Sequence, residues 1–223
     1  MFPENFKDCL ITKIQEVVIT KKEVEKYINF FRTSYGKHVI SVESQLISKN
    51  TNKDATLLSI GSGPAIIESH LQKLRTDIKI ITIDNNINII SQIPQYLHPI
   101  LADGKHLPFS SNIFDIVICI TSLEFMSKPP IVINEIHTVL KQNGVFLALL
   151  LNLESRYVQR KIKDTNSYIG REMKQHSYST IKDTLKQHFK DVRLDFVIRE
   201  QKKENNEILS SNHHRLIVMK AKK

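Results

Sequence analysis

The sequence predicts a doubly wound α/β domain: a mainly parallel sheet of seven strands, the last one antiparallel, with helices on both faces and a helical extension at the N-terminus. Two observations carry this. Apolar runs near residues 56–60, 78–83, 99–102, 114–120 and 144–151 alternate with helical stretches, the pattern of parallel strands buried on both faces. The first run, Thr56-Leu57-Leu58-Ser59-Ile60, stops at Gly61-Ser62-Gly63 and restarts as helix at Pro64, a favoured first helical residue.

Taken in order, the chain begins with a helical region reaching about Lys49, in which Val24, Tyr27, Ile28 and Phe31 recur at amphipathic spacing and Thr20 with Glu23 reads as a capping box. Tyr35-Gly36-Lys37-His38 interrupts it, either as a helix–helix turn capped by Gly36 or with Tyr35 covering a bound ligand. The glycines after the first strand let a ligand approach the main chain closely. Asp84 follows Gly63 by 21 residues, at the end of the run Ile78-Lys79-Ile80-Ile81-Thr82-Ile83, where an acid accepts hydrogen bonds from ribose hydroxyls.

The ligand so implied is a nucleoside without phosphates. A dinucleotide fingerprint needs a small residue where Ile66 stands, and Pro64 removes a backbone donor, so a pyrophosphate cradle is disfavoured. No Gly-Lys-Ser/Thr follows the glycines, which argues against a phosphate-binding loop. Beyond the fifth strand, a helix near 178–189 leads to Val192–Ile198, a polar loop from about 200 to 214, and Leu216–Met219; these two strands can pair antiparallel and close the sheet. No internal repeat is present.

Composition is consistent with one domain over residues 1–223, divided into an N-terminal helical extension (1–49), a cofactor-binding core around the glycine loop (50–151), and a segment with the closing strands (152–223). An apolar content of 41% remains globular. The N-terminus lacks a signal-peptide pattern and no apolar run approaches the roughly 20 residues needed to span a bilayer, so a soluble, cytoplasmic protein is expected. Cys9 and Cys119 are too few for a disulfide framework or a zinc site, and no His-Glu-x-x-His cluster supports a metal.

These residues resemble the class I S-adenosylmethionine-dependent methyltransferases, and among them the small-molecule, type 11-like group with a Leu-Pro-Phe signature. The resemblance runs over roughly residues 36–151. It rests on Ser59-Ile60-Gly61-Ser62-Gly63, Asp84, Ala102-Asp103-Gly104-Lys105-His106-Leu107-Pro108-Phe109, Phe114-Asp115-Ile116-Val117-Ile118 and the stretch Ile133–Phe146, in matching order and spacing. It implies a Rossmann-like fold and S-adenosyl-L-methionine as cofactor. By the same resemblance Gly61, Ser62 and Gly63 take the methionine part, Asp84 with its neighbour Asn85 the ribose, Asp103 the adenine amino group and Gly104 the adenine ring. The strand end at Ile120 would set a carbonyl near the methionine ammonium. The chain departs from the family at Ser59, where an acid is usual, and at Ala65, where glycine is usual; Ser59 thereby lacks a charge that would favour the cationic cofactor.

The net charge of +9 is concentrated late: residues 1–153 hold 15 Lys or Arg against 14 Asp or Glu, and residues 154–223 hold 17 against 9. Arg156, Arg160, Lys161, Lys163, Arg171 and Lys174 fall in the segment that covers the acceptor in the resembled family, which points to a small anionic acceptor. Solvated surface charge is the competing reading. An RNA-modifying enzyme using the basic C-terminal third is an alternative, weakened by the lack of tight aromatic interleaving. A non-enzymatic cofactor-binding or partner protein is another. Methyl transfer depends mainly on alignment and exclusion of water, so a dedicated base is optional; weak candidates are Glu124, His176, Tyr168 and Tyr35. Neither the acceptor atom nor the oligomeric state is encoded in a motif.

Overall fold

The computed structural model describes residues 21–174, 178–199 and 214–223. Its centre is a seven-stranded sheet of β1 (Thr56–Ile60), β2 (Lys79–Asp84), β3 (Pro99–Leu101), β4 (Phe114–Ile120), β5 (Leu140–Leu151), β6 (Lys190–Arg199) and β7 (His214–Lys222), ordered β3-β2-β1-β4-β5-β7-β6. β1 to β5 run parallel, and β7 lies antiparallel between β5 and β6. The strand order reverses at β1 and β4, and a ligand site in such a sheet opens at that switch, beyond the carboxyl ends of the strands.

Alternation along the strands divides the core in two. Leu57, Ile116, Ile118, Leu147 and Leu149 face one side; there they meet Val39 and Ile47 of α2 (Ser34–Lys49) and Ile67 and Leu71 of α3 (Ile66–Leu74). Leu58, Val117, Cys119, Phe146 and Ala148 face the other. They are covered by Val132, Ile133 and Ile136 of α5 (Pro129–Val139) and by Ile181 and Leu185 of α8 (Tyr178–His188). Each such side chain, essentially inaccessible, contributes on the order of 2 kcal/mol. The uninterrupted apolar runs in β1 and β4 follow from this double burial. A short α4 (Ile87–Ile90) follows β2.

The N-terminal region forms two helices, α1 (Lys21–Arg32) and α2, and the break falls at Thr33 rather than at Gly36. Thr33 caps α2, its hydroxyl accepting the Gly36 N–H at 3.0 Å. Gly36 is therefore not a C-cap. It sits in the first turn of α2, where an added Cβ would lie 2.1 Å from the Phe30 carbonyl oxygen, so glycine is what allows the two helices to pack this closely. Thr20, the proposed N-cap of α1, lies outside the described residues. The far end of α2 is tied to the core by Arg75, whose guanidinium donates to the carbonyls of Ser48, Thr51 and Asn52 while pairing with Asp77.

Two other boundaries differ from expectation. α3 starts at Ile66 and not at Pro64, because Ala65 adopts left-handed backbone, φ 53°, and serves as the N-cap. β5 starts at Leu140 rather than near 144: Leu140 pairs with Phe114, and the Lys141 ammonium reaches the Asp115 carboxylate at 2.9 Å. After β5, α6 (Arg156–Lys163) and α7 (Tyr168–Glu172) form a segment folded over the carboxyl ends of the strands. Among the described residues no helix is long and apolar enough to cross a membrane.

Candidate cofactor and acceptor site

A cavity of about 910 Å³ opens at the carboxyl ends of β1, β2 and β4, roofed by α1 and α2 on one side and by the α6–α7 segment on the other. It is lined by the glycine loop and by Asp84, Asn85, Asp103, Gly104 and Ile120, so the cofactor residues expected from the resemblance converge on one space.

The loop is built by backbone hydrogen bonds. The N–H groups of Gly61 and Ser62 both donate to the Ile83 carbonyl, bending the chain over the end of β2. Gly61 takes φ 65° against Ser122, where a Cβ would lie 2.7 Å from the serine Cβ; only glycine meets both demands. Ala65, also at positive φ, explains why glycine is usual at its position: alanine there bears a backbone strain of roughly 1–2 kcal/mol.

Asp84 closes the loop onto β2. Its Oδ2 accepts the Gly63 N–H at 3.0 Å and its Oδ1 accepts the Asn86 N–H at 3.0 Å. Burial pushes its carboxyl above the ordinary value, and these backbone donors oppose that shift. Asp103 turns onto its own loop, accepting the Lys105 N–H at 2.9 Å, with the Lys105 ammonium 3.4 Å away. Apolar Ile83, Ile89 and Ala102 line the same cavity.

Beneath the loop lies a carboxyl cluster. The Ser59 hydroxyl donates to Glu68 Oε1 at 2.6 Å, and both residues are buried. The acid missing from position 59 is thus replaced in space by one from α3. Burial raises the Glu68 carboxyl to about 7. Glu43, on α2, is 3% exposed, lines the cavity, and is raised to about 8 by burial and by Glu68.

The rest of the cavity is lined by Lys26, Tyr27 and Phe30 of α1, by Thr121 and Phe125 after β4, and by Tyr157, Lys161, Tyr168 and Lys174. Phe125 and Tyr168 stack with ring centroids 5.0 Å apart. Arg171 of α7 ion-pairs with Glu23 of α1, linking the two roofs of the cavity. Of the basic residues singled out in the sequence, Lys161 and Lys174 line the cavity, Arg156, Arg160 and Lys163 face solvent, and Arg171 is committed to Glu23.

The candidate bases separate. Tyr168 and Tyr35 line the cavity, and burial pushes the Tyr168 hydroxyl well above its ordinary value, making it a hydrogen-bond donor at neutral pH. Glu124 does not line the cavity. It is the central residue of the 3-10 turn Leu123–Phe125, and its carboxylate turns inward to accept the Leu151 N–H at 2.5 Å, tying that turn to the end of β5. Burial raises it to about 7, and Oε2 has no hydrogen-bond partner among the described residues. Its carboxylate thus braces the turn from the inside, away from the cavity lining. His176 lies outside the described residues.

Sequence reasoning missed Glu43, whose only signal was an acid on the apolar side of an amphipathic helix. It also missed Thr121, a β-branched residue at φ 44°, which no local pattern discloses. Among the described residues no group of three or more side chains is arranged to hold a metal ion.

Comparison with known proteins agrees with this geometry. Residues 58–148 match the family model described as a methyltransferase domain. Over those residues the chain resembles the class I S-adenosylmethionine-dependent methyltransferases, whose cofactor is S-adenosylmethionine. It is 36% identical over 109 residues to the mitochondrial arginine-hydroxylase NDUFAF5 of Rattus norvegicus, a match covering 46% of this chain and 31% of that protein. The chain thus spans less than a third of that relative. It is 25% identical over 194 residues to the ubiquinone/menaquinone biosynthesis C-methyltransferase UbiE of Wigglesworthia glossinidia brevipalpis, covering 79% of this chain and 78% of that protein. In fold it resembles an S-adenosylmethionine-dependent methyltransferase of Thermotoga maritima, described as a possible histamine N-methyltransferase. The TM-score is 0.74 at 15% identity, covering 90% of this chain and 96% of the other.

Proposed function

We propose that the protein transfers a methyl group from S-adenosylmethionine to a small acceptor bearing an acidic group, held between α1 and the α6–α7 segment. The observation that carries this reading is the single cavity that joins the Asp84-braced glycine loop to an aromatic and lysine-lined chamber.

The residues fit the cofactor. Asp84 stands fixed at the end of β2 with its carboxylate on the cavity wall, suited to a ribose diol. Asp103, with apolar Ile83 and Ala102 lining the same cavity, suits an adenine with an exocyclic amine, and the buried carboxyls suit a cation. When bound, S-adenosylmethionine supplies a methyl group already made electrophilic by its sulfonium. The protein then has to align the acceptor and exclude water.

Aromatic walls from Phe30, Phe125 and Tyr168 exclude water, and the Tyr168 hydroxyl, protonated at neutral pH, donates to the acceptor. Lys26, Lys161 and Lys174 give the chamber a positive lining, which supports an anionic acceptor on narrower grounds than the whole basic segment would.

The test is incubation with methyl-labelled S-adenosylmethionine and panels of carboxylated, phosphorylated and uncharged small molecules. Label transfer to acidic members supports the proposal. A product heavier by one oxygen instead of one methylene would assign hydroxylation, the activity named for the rat relative, and remove methyl transfer.

A further inference from the structure

The cavity contains an acidic side chain that the cofactor residues of the resembled family do not include. Glu43 comes from α2, part of the N-terminal extension, and not from the strand–loop–helix unit that carries the glycines. It is 3% exposed, it lines the cavity beside the Gly61–Gly63 loop, and it accepts no hydrogen bond among the described residues. An unpartnered carboxyl buried this deeply is costly unless a partner arrives.

The groups facing it are acidic or neutral. Glu68 of α3 lies close enough to act on it electrostatically, and Tyr27 of α1 senses Glu43, Glu68 and Asp84 together. Glu68 spends Oε1 on the Ser59 hydroxyl, and Asp84 spends both oxygens on backbone N–H groups. That leaves Glu43 as the acid of the cluster with no committed partner among the described residues. The complement of such a group is a cation.

We propose that Glu43 receives the ammonium group at the methionine end of the cofactor, the N-terminal extension thereby adding a second acid beside the Ser59–Glu68 pair. This rests on the cofactor reading above. The inference gives the extension a role in binding as well as in covering the site. Because Glu43 and Glu68 face each other without a counter-cation, arrival of the cation expels a proton that the pair holds when the site carries none.

The experiment is calorimetric titration of the full chain and of Glu43→Gln with S-adenosylmethionine and with 5′-methylthioadenosine, which keeps the nucleoside but lacks the amino-acid end. The wild type should bind both. Glu43→Gln should weaken S-adenosylmethionine by about tenfold or more, the loss of a charge-assisted contact, and leave 5′-methylthioadenosine within about twofold. Repeating the wild-type titration near pH 7 in two buffers of different ionisation enthalpy should show proton release that Glu43→Gln reduces.

Equal weakening of both ligands would mean that Glu43 only supports the fold, and would overturn the inference. So would unchanged affinity for S-adenosylmethionine. If Glu43→Gln does not fold, Glu43→Asp, which keeps the charge on a shorter arm, should lose S-adenosylmethionine selectively, and an unselective loss overturns the inference equally. A wild type that binds neither ligand rejects the cofactor reading itself and this inference with it.

Discussion

The Ser59 hydroxyl and the Glu68 carboxylate are joined by a buried 2.6 Å hydrogen bond that ties β1 to the first turns of α3 directly under the glycine loop. The two positions have traded chemistry: the strand that usually ends in an acid ends in its hydrogen-bond donor, and the helix carries the acid. Restoring the usual residue should therefore harm this chain. Ser59→Asp sets a second carboxyl against Glu68 in a dry site, and we expect a loss of about 2–4 kcal/mol in urea unfolding. The exchange Ser59→Asp with Glu68→Ser should recover most of it. Independent, additive losses in the double variant would show that the two positions are not coupled.

Asp84 holds the loop before any ligand arrives, and this separates its two expected effects. Asp84→Asn keeps one acceptor oxygen for a backbone N–H and should cost modest stability. It should weaken S-adenosylmethionine by about 1.5–3 kcal/mol in calorimetry through loss of charge-assisted bonds to the ribose. An unchanged dissociation constant refutes the ribose assignment.

Four buried carboxyls, Glu43, Glu68, Glu124 and Asp84, are raised by burial and act in the same direction on the pH dependence. Glu43 is raised to about 8, Glu68 to about 7 and Glu124 to about 7, all above the unfolded value of about 4.3. Below the unfolded value both states are protonated and the stability these groups confer is fully present. Between there and pH 7–8 only the native state holds the protons, so unfolding releases them and stability falls as pH rises, by at most ~1.4 kcal/mol per pH unit for each group. Thermal midpoints measured without ligand should decline from pH 5.5 to 8, and Glu43→Gln should flatten the upper part of that decline. A midpoint that rises over this range would contradict the buried, proton-holding arrangement.

How much of this was legible in the sequence depended on whether the cause was local. β1, β2 and β4 were readable because strands buried on both faces need unbroken apolar residues, and Asp84 because it ends such a run 21 residues after Gly63. The break at Thr33 was misplaced at Gly36 because glycine signals both helix ends and close helix packing, and only the position of Phe30 decides which applies. Pro64 looked like a helix start, yet Ala65 takes the left-handed turn that delays it, a choice enforced by the loop's bonds to Ile83. Glu124 looked like an active-site acid from its place after β4. Its inward turn depends on a bond to Leu151, 27 residues away. Glu43 was invisible for the same reason: its meaning comes from Glu68 and the cavity, which the chain assembles only in three dimensions.

Thr121 offers a test of stored strain. It follows β4 at φ 44°, lines the cavity, and is held there by its N–H bond to the Leu149 carbonyl at 2.7 Å. A β-branched residue at positive φ costs roughly 1–3 kcal/mol and persists where the surroundings impose it. Thr121→Gly relieves that strain but frees the unfolded chain, so a net gain of about 1 kcal/mol in unfolding free energy is expected. If the strained threonine shapes the place where the acceptor meets the methyl group, the same variant should lower turnover while leaving S-adenosylmethionine affinity unchanged. A variant that is less stable than the wild type would show that the threonine side chain supplies contacts outweighing its backbone cost.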